Sequence, residues 1–219
     1  MHRVRFQTKA APKEQPMSPK NYRIPAQIKG EGINDIDAML AMSLETGKLV
    51  MIFTNDENYS EFTAGIVSAI SEFWFILKRI DINGHADGFS CIPMDIVFRA
   101  EFDTGFINRI SMLWKMQEDE HRTLPDQELD LMRGFLESAR QLQSVVSLEI
   151  LDSRRNDISG FVQHLDESFV KLGLLDFQGN LAGTSLISID SITQAVMESV
   201  GESTLHRLND YNQRIGNLT

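Results

Sequence analysis

The stretch from Ile76 to Ser90, ILKRIDINGHADGFS, holds the side chains whose types and spacing come nearest to a metal or catalytic loop. Asp81, His85 and Asp87 lie at short, odd intervals, and carboxylate and imidazole groups arranged in this way can converge on one ligand. Two glycine turns, Asn83-Gly84 and Asp87-Gly88, frame these side chains. The same stretch therefore also suits the corner of a sheet, because such pairs are typical of tight turns.

Other sequence signatures of catalysis are missing. The chain has no P-loop, no G-x-G-x-x-G after a strand, no H-E-x-x-H and no G-x-S-x-G. Its single cysteine, Cys91, excludes an internal disulfide and a cysteine-based zinc site. The histidines are scattered without a helical i, i+4 pair: His2, His85, His121, His164 and His206. We therefore predict a protein that is not an enzyme, with no catalytic residue, no metal site and no cofactor, and with no ligand-binding residue assigned.

The composition is that of a water-soluble globular protein. The chain has 219 residues, of which 42% are hydrophobic and 24% charged. No apolar stretch reaches the roughly 18–20 residues of a membrane span, and the N-terminus lacks the apolar region of a secretory signal. We expect a cytoplasmic protein without a membrane partner, and the single cysteine agrees with a reducing compartment.

The net charge of −10 is unevenly distributed. Residues 1–30 carry a charge of +6 and four of the six prolines, whereas the remainder carries −16. The first segment is predicted to be a basic, proline-containing arm. It could tether RNA or an acidic partner, solubilise the chain, lie on the chain's own acidic body or serve as a transit peptide. The acidic body itself disfavours nucleic-acid binding, because it repels phosphate.

Beyond the arm, the apolar pattern predicts a helix, about five strands and a second helix, and then the same order again. The first helix should stop at Gly47, and Pro125 should open the helix of the second series. Asn83-Gly84 is predicted to be a two-residue hairpin turn with positive φ at both positions. Pro93 should lie at an edge or a bend, because it has no amide donor.

The second series also repeats the amino-acid sequence of the first. Residues 160–195 match residues 65–100 without a gap at 11 of 36 positions, at an offset of 95 residues. Average usage gives roughly two or three identities by chance. In the closing helices, Arg109-Ile110 is aligned with Arg207-Leu208 at a slightly larger offset. An internal repeat of this kind determines the architecture.

The repeat also bears on the opening loop. Gly84 and Gly88 recur as Gly179 and Gly183, but Asn83, His85 and Asp87 become Gln178, Asn180 and Ala182. The property common to both copies is therefore backbone freedom. The loop is interpreted as a hairpin corner, and Asp81, His85 and Asp87 stay the candidates for a site confined to the first copy.

A short helix followed by about five bent strands resembles the Sm-like, or SH3-type, small β-barrel. The closest stretches are GIVSAIS from Gly65 and GFVQHLD from Gly160, which are similar to the second-strand element of Sm proteins. The resemblance implies uridine binding by an aspartate and an asparagine. Ser71 and Asp166 stand at the aspartate position, and Phe75 and Val170 at the asparagine position, so neither copy has the pair.

The predicted fold is mainly β with flanking helices, in the form of two tandem Sm/SH3-like small barrels related by the internal repeat. Residues 1–30 form the arm, residues 31–116 the first barrel and residues 124–219 the second. The expected function is a non-catalytic binding or scaffolding protein with a protein or peptide partner, and with self-association into a homo-oligomer as a further expectation. The alternative is an RNA-binding protein that uses the basic arm.

Overall fold

The computed structural model describes residues 35–125, 130–151, 153 and 158–216. The basic arm, residues 1–30, lies outside the described residues. The first half of the described chain contains two helices and five strands: α1 (Ile36–Thr46), β1 (Val50–Phe53), β2 (Thr63–Ile70), β3 (Trp74–Ile80), β4 (Ala86–Pro93), β5 (Arg99–Glu101) and α2 (Gly105–Gln117). The second half contains the same series: α3 (Leu131–Leu142), β6 (Val145–Ile150), β7 (Ile158–Leu165), β8 (Phe169–Leu175), β9 (Leu181–Ser188), β10 (Ile192–Met197) and α4 (Val200–Gly216).

The ends of α1 follow from its capping residues. The Asp35 side chain accepts a hydrogen bond from the Ala38 N–H at 2.7 Å, which satisfies one of the free donors of the first turn. Gly47 ends the helix in the left-handed conformation, with φ of +68°. The predicted stop at Gly47 is confirmed, and Pro93 is the last residue of β4, as its missing donor requires.

The described strands form one open antiparallel sheet in the order β5-β1-β2-β3-β4-β10-β6-β7-β8-β9. The mainly β prediction with flanking helices is confirmed. The prediction of two separate barrels is wrong in that the sheet is not a closed barrel and continues from one half into the other. The physical reason is that β4 and β10 each have a free edge, and pairing these edges satisfies backbone groups that separate barrels would leave exposed.

Strand pairing in one half recurs in the other at an offset of 95 residues. Gly65 pairs with Arg79 and Gly160 pairs with Leu174, and the bulge after Val67 recurs after Val162. At both glycines a Cβ would lie 2.2 Å from a carbonyl oxygen of the neighbouring strand, that of Lys78 or of Gly173. The bent strand therefore admits no side chain at either glycine.

The helices that end the two halves, α2 and α4, also correspond at an offset of 95 residues. Gly84 lies against the backbone of Leu113 and Trp114, and Gly179 lies against Leu208 and Asn209. The alignment of Arg109-Ile110 with Arg207-Leu208 is therefore wrong by three residues. The alignment was misplaced because α2 and α4 share few identical residues on their exposed faces. The contact of each helix with a glycine turn shows which residues are equivalent.

The β3–β4 turn is a three-residue loop stabilised by an aspartate. The Asp81 carboxylate accepts hydrogen bonds from the N–H groups of Asn83 and His85, both at 2.8 Å, and Gly84 has φ of +81°. Asn83 does not have positive φ, so the predicted two-residue turn is wrong. Asp176 holds the equivalent turn through the N–H groups of Gln178 and Asn180.

The apolar core is continuous across the junction of the halves. Ile76, Phe89 and Cys91 of the first half share one buried cluster with Phe135 and Leu136 of α3. Two further clusters lie within the first half, one against α1 and one against α2. None of the helices in the described ranges is long and apolar enough to cross a membrane.

Candidate functional site at the open sheet edge

The junction between the halves shows how this sheet buries an edge strand. Phe89 pairs with Met197, Ser90 with Val196 and Cys91 with Ala195. Phe89 and Cys91 are buried, and so are their partners on β10. We call this β4–β10 pairing, with the segments beside it, the seam. It combines backbone hydrogen bonds with apolar burial of about 25 cal/mol per Å², which is the usual basis of stable strand pairing.

A polar clamp holds one end of the seam. Arg79 Nη2 lies 2.8 Å from Asp87 Oδ2, and both side chains are largely buried. The other carboxylate oxygen of Asp87 accepts the Val200 N–H at 3.0 Å. Because Val200 begins α4, the carboxylate neutralises Arg79 and also satisfies a free donor at a helix N-terminus.

Gly88 lets the second half approach closely. It has φ of +71°, and a Cβ at this position would lie 2.2 Å from the Met197 carbonyl oxygen and 2.3 Å from the Glu198 carbonyl carbon. The connection from β10 to α4 therefore lies directly on the β4 backbone. Glycine is required here for both its conformation and its lack of a side chain.

The segment after α2 also crosses the seam. The Ala86 N–H donates to Asp119 Oδ2 at 2.9 Å, and this bond lowers the pKa of Asp119. His121 packs against Phe89 and Trp114, and its burial lowers the pKa of the imidazole. Arg122 then forms an ion pair with Glu198 at 2.9 Å. Residues 119–122 are thus part of the seam.

The strand equivalent to β4 in the second half, β9, lies at the edge of the sheet. It is eight residues long, pairs with β8 on one side, and has no described strand on the other. Leu186, at the position equivalent to the buried Cys91, is 65% exposed. Leu181 is exposed to a similar degree. β9 therefore offers unpaired backbone groups and apolar side chains together.

The glycine equivalent to Gly88 is uncovered in the same way. Gly183 has φ of +107°, and no atom of the described residues lies within 4 Å of where its Cβ would be. The space that β10 and the start of α4 fill over β4 is thus open over β9. The clamp is not reproduced, since Leu174 and Ala182 stand in place of Arg79 and Asp87.

The opposite edge of the sheet is far less open. β5 has three residues, and its ends carry Arg99 and Glu101, which form an ion pair with each other. The Arg99 guanidinium also lies 4.3 Å from the centroid of the Phe53 ring. Short length and charged side chains are common features of edges that resist further pairing. β9 is therefore the more open of the two edges.

The structure does not bring the sequence candidates together as a site. Asp81 is engaged by its own turn, and Asp87 by Arg79 and Val200. His85 is half-exposed, with Nδ1 3.8 Å from Asp119 Oδ2. Within the described ranges, no group of three or more His, Cys, Asp or Glu residues could hold a metal ion. The interpretation of this loop as a hairpin corner agrees with these contacts.

Cys91 is buried in the seam. Burial, with a smaller contribution from the Asp130 charge, raises the pKa of its thiol well above the ordinary value. The thiolate is the nucleophilic form, so a buried thiol of this kind is inert. It fills space as a small apolar side chain.

Sequence reasoning found the repeat but not the open edge. The sequence contains one indication of the open edge. Leu186 replaces Cys91 and Ala182 replaces Asp87 in a strand that otherwise shares many residues with its equivalent. Comparison of the chain with protein-family models, curated proteins and solved structures finds no match.

Proposed function

We propose that this protein is a non-catalytic binding or scaffolding protein, built from two Sm-like halves, that accepts a strand from a protein or peptide partner along β9. One observation carries the proposal. β9 is an eight-residue edge strand with unpaired backbone groups and an exposed Leu186, whereas its equivalent, β4, is covered by β10. Strand addition to such an edge is a common mode of peptide recognition.

The seam supplies the geometry for the partner strand. A strand that pairs with β9 as β10 pairs with β4 would lie opposite Thr184, Ser185 and Leu186. It would bury Leu186, whose full burial contributes about 1.5–3 kcal/mol. An apolar residue opposite Leu186 and a small residue beside Gly183 are the features we expect in the partner sequence.

The Sm-like part of the proposal rests on the series of one helix and five antiparallel strands, which occurs twice with the same register. It does not include uridine binding. Phe75 and Val170, at the asparagine position, are fully buried in the core, where they cannot contact a base. The charge of −16 beyond residue 30 also favours protein partners over RNA.

A pair of lysine substitutions tests the proposal. Leu186→Lys places a charge where the partner strand would cover it, and Met112→Lys adds the same charge to α2 at 66% exposure, close to that of Leu186. Full-length wild type should retain a specific partner from extract, or associate with itself in light scattering. Leu186→Lys should abolish that association, whereas Met112→Lys should leave it unchanged.

The outcomes separate the partners. A mass above that of the 24.8 kDa monomer, lost in Leu186→Lys, identifies a second copy as the strand donor. A retained protein lost in the same variant identifies a different chain. A strictly monomeric protein that retains no partner, or equal loss in both variants, would refute the proposal.

A further inference from the structure

The second half contains a groove beside α4. It lies between α4 and the β7–β8–β9 strands, with a volume of about 600 Å³. Its walls are apolar and include Leu174, Phe177 and Leu205, and its floor includes Ser147, Ser159 and Glu202. This volume is within the range of small-molecule sites, which are mostly apolar and contain a few convergent polar groups.

The first half has the same position filled. At the offset of 95 residues, Ala64 and Ile107 are the equivalents of Ser159 and Glu202. Ser147 pairs with Ser159 as Met51 pairs with Ala64, so β6 is shifted by one further residue and Met51 is the equivalent of Ser147. Met51, Ala64 and Ile107 all belong to one buried apolar cluster. Where the first half has three apolar residues packed together, the second half has three polar ones, one of which is a buried carboxylate. Glu202 is only 4% exposed. A buried charge is costly unless it is hydrogen-bonded, so its bonding partners define what the floor can accept.

The hydroxyl groups of Ser147 and Ser159, and that of the neighbouring Ser199, all donate to groups of the protein. Ser147 donates to Glu202 Oε1 at 2.6 Å, and Ser199 donates to Glu202 Oε2. Ser147 and Ser159 lie 2.7 Å apart, and since the Ser147 hydrogen is used on the carboxylate, Ser159 is the donor of that bond. Each hydroxyl has one hydrogen, so none of the three has a donor left for a ligand.

The floor of the groove therefore offers a ligand only hydrogen-bond acceptors. The Ser159 oxygen and the second lone pairs of the Glu202 carboxylate have no further partner among the described residues. Asp176 adds a second carboxylate at the groove, and its pKa is lowered by hydrogen bonds from Asn180 and Gln178. No lysine, arginine or histidine is among the described residues that line the groove. A complementary ligand must bring donors and positive charge.

From this arrangement we infer that the groove binds a small amphipathic amine, with its ammonium group on the Glu202 and Ser159 oxygens and its apolar body against Leu174, Phe177 and Leu205. An ammonium group has three donors and no acceptor, which matches the floor. The groove adjoins the β9 edge, since Ala182 of β9 is among its lining residues, but the oxygens and apolar side chains named here all lie outside β9. The inference therefore does not depend on the proposed function.

The test compares phenethylamine with 2-phenylethanol, which has the same carbon skeleton and no charge. Each is titrated into full-length protein while backbone amide shifts are followed by NMR. The amine should shift the amides of Ser159 and Gly201, and should bind at least about tenfold more tightly than the alcohol, because charge-assisted hydrogen bonds are the stronger ones. The equivalent amides of Ala64 and Phe106 should not move, which is a control within the same molecule.

Two kinds of variant complete the test. Glu202→Gln should lower amine affinity to that of the alcohol. Should Glu202→Gln fail to fold, Thr204→Trp fills the groove from an exposed position on α4, and Ser203→Trp is its control on the same helix outside the groove. Thr204→Trp should abolish amine binding and Ser203→Trp should not. Equal affinity for amine and alcohol, no shift at millimolar amine, or binding that survives Thr204→Trp would overturn the inference.

Discussion

The β4 and β9 strands occupy equivalent places in the two halves, yet β4 is paired on both sides in the middle of the sheet and β9 is an open edge. β4 is buried from Gly88 to Pro93, whereas β9 is exposed over its first four residues. Their pairing to β3 and β8 has the same register. Strand pairing within each half therefore leaves an edge unpaired at β4 in the first half and at β9 in the second. Only the β4 edge is covered by another strand, β10.

The largest effect should come from adding a methyl group at the two equivalent glycines. Gly88→Ala would push a Cβ into the Met197 and Glu198 backbone at positive φ, so we expect a loss of about 3–4 kcal/mol in the free energy of unfolding. Gly183→Ala has the conformational cost alone, about 1–2 kcal/mol. Urea unfolding of both variants measures the difference. Equal losses would mean that β9 is as covered as β4.

The two equivalent glycines of the bent strands β2 and β7 should give similar losses of stability. Gly65→Ala and Gly160→Ala each place a Cβ 2.2 Å from a carbonyl oxygen of the neighbouring strand. Each should cost about 3 kcal/mol of unfolding free energy, since backbone atoms cannot move aside as a side chain can. Thermal or urea unfolding is again the readout. A loss in one half without the other would break the structural equivalence of β2 and β7.

A smaller effect should come from the clamp. Asp87→Ala leaves Arg79 without its ion-pair partner and frees the Val200 N–H, so we expect a loss of about 2 kcal/mol. The reciprocal change, Ala182→Asp, adds a carboxylate at an exposed position and should change stability by less than about 0.5 kcal/mol. If Asp87→Ala were as mild as Ala182→Asp, the clamp would not contribute to the seam.

The smallest effect is a pH-dependent ion pair found only in the second half. Arg140 lowers the pKa of Glu137 to about 2, and the equivalent of Glu137 in α1 is Met42. A folded pKa below the ordinary value means that the stabilisation is present above pH 4.5 and lost as the pH falls toward 2. Since the pair is partly exposed, Glu137→Gln should cost only about 0.5 kcal/mol at pH 7.

Unfolding of Glu137→Gln and wild type at pH 7 and again near pH 2.5 checks the sign. The difference between the two proteins should be much smaller at the lower pH, where most of the contribution of the ion pair is lost. A difference that stays constant over this range would show that the loss comes from packing and not from the ion pair.

The local elements could be predicted because their causes are local. Gly47 ends α1 through its own left-handed conformation, and Pro93 ends β4 because it lacks a donor. The repeated glycines marked the turns and the bent strands correctly. The apolar faces of the helices were harder to predict. Met112 and Met116 are both exposed on α2, because helical spacing alone does not give the direction of an apolar face.

The seam and the groove could not be predicted, because each depends on contacts between distant residues. Arg79 and Asp87 look like ordinary strand charges until α4 is placed beside them. Ser147 and Glu202 are 55 positions apart in sequence. Their hydrogen bond depends on the packing of α4 against β6, and the equivalent residues of β1 and α2 are apolar.

Amide hydrogen exchange of β4 and β9 in the full-length chain tests the central claim most directly. In the free protein the β4 amides should exchange slowly, whereas the outward-facing amides of β9 should exchange rapidly, because an edge strand leaves about half of its N–H groups unpaired. If β9 accepts a strand as proposed, those amides should become protected in the complex, with no change in β4. Slow exchange throughout β9 in the free chain, or rapid exchange that persists in the complex, would contradict the account.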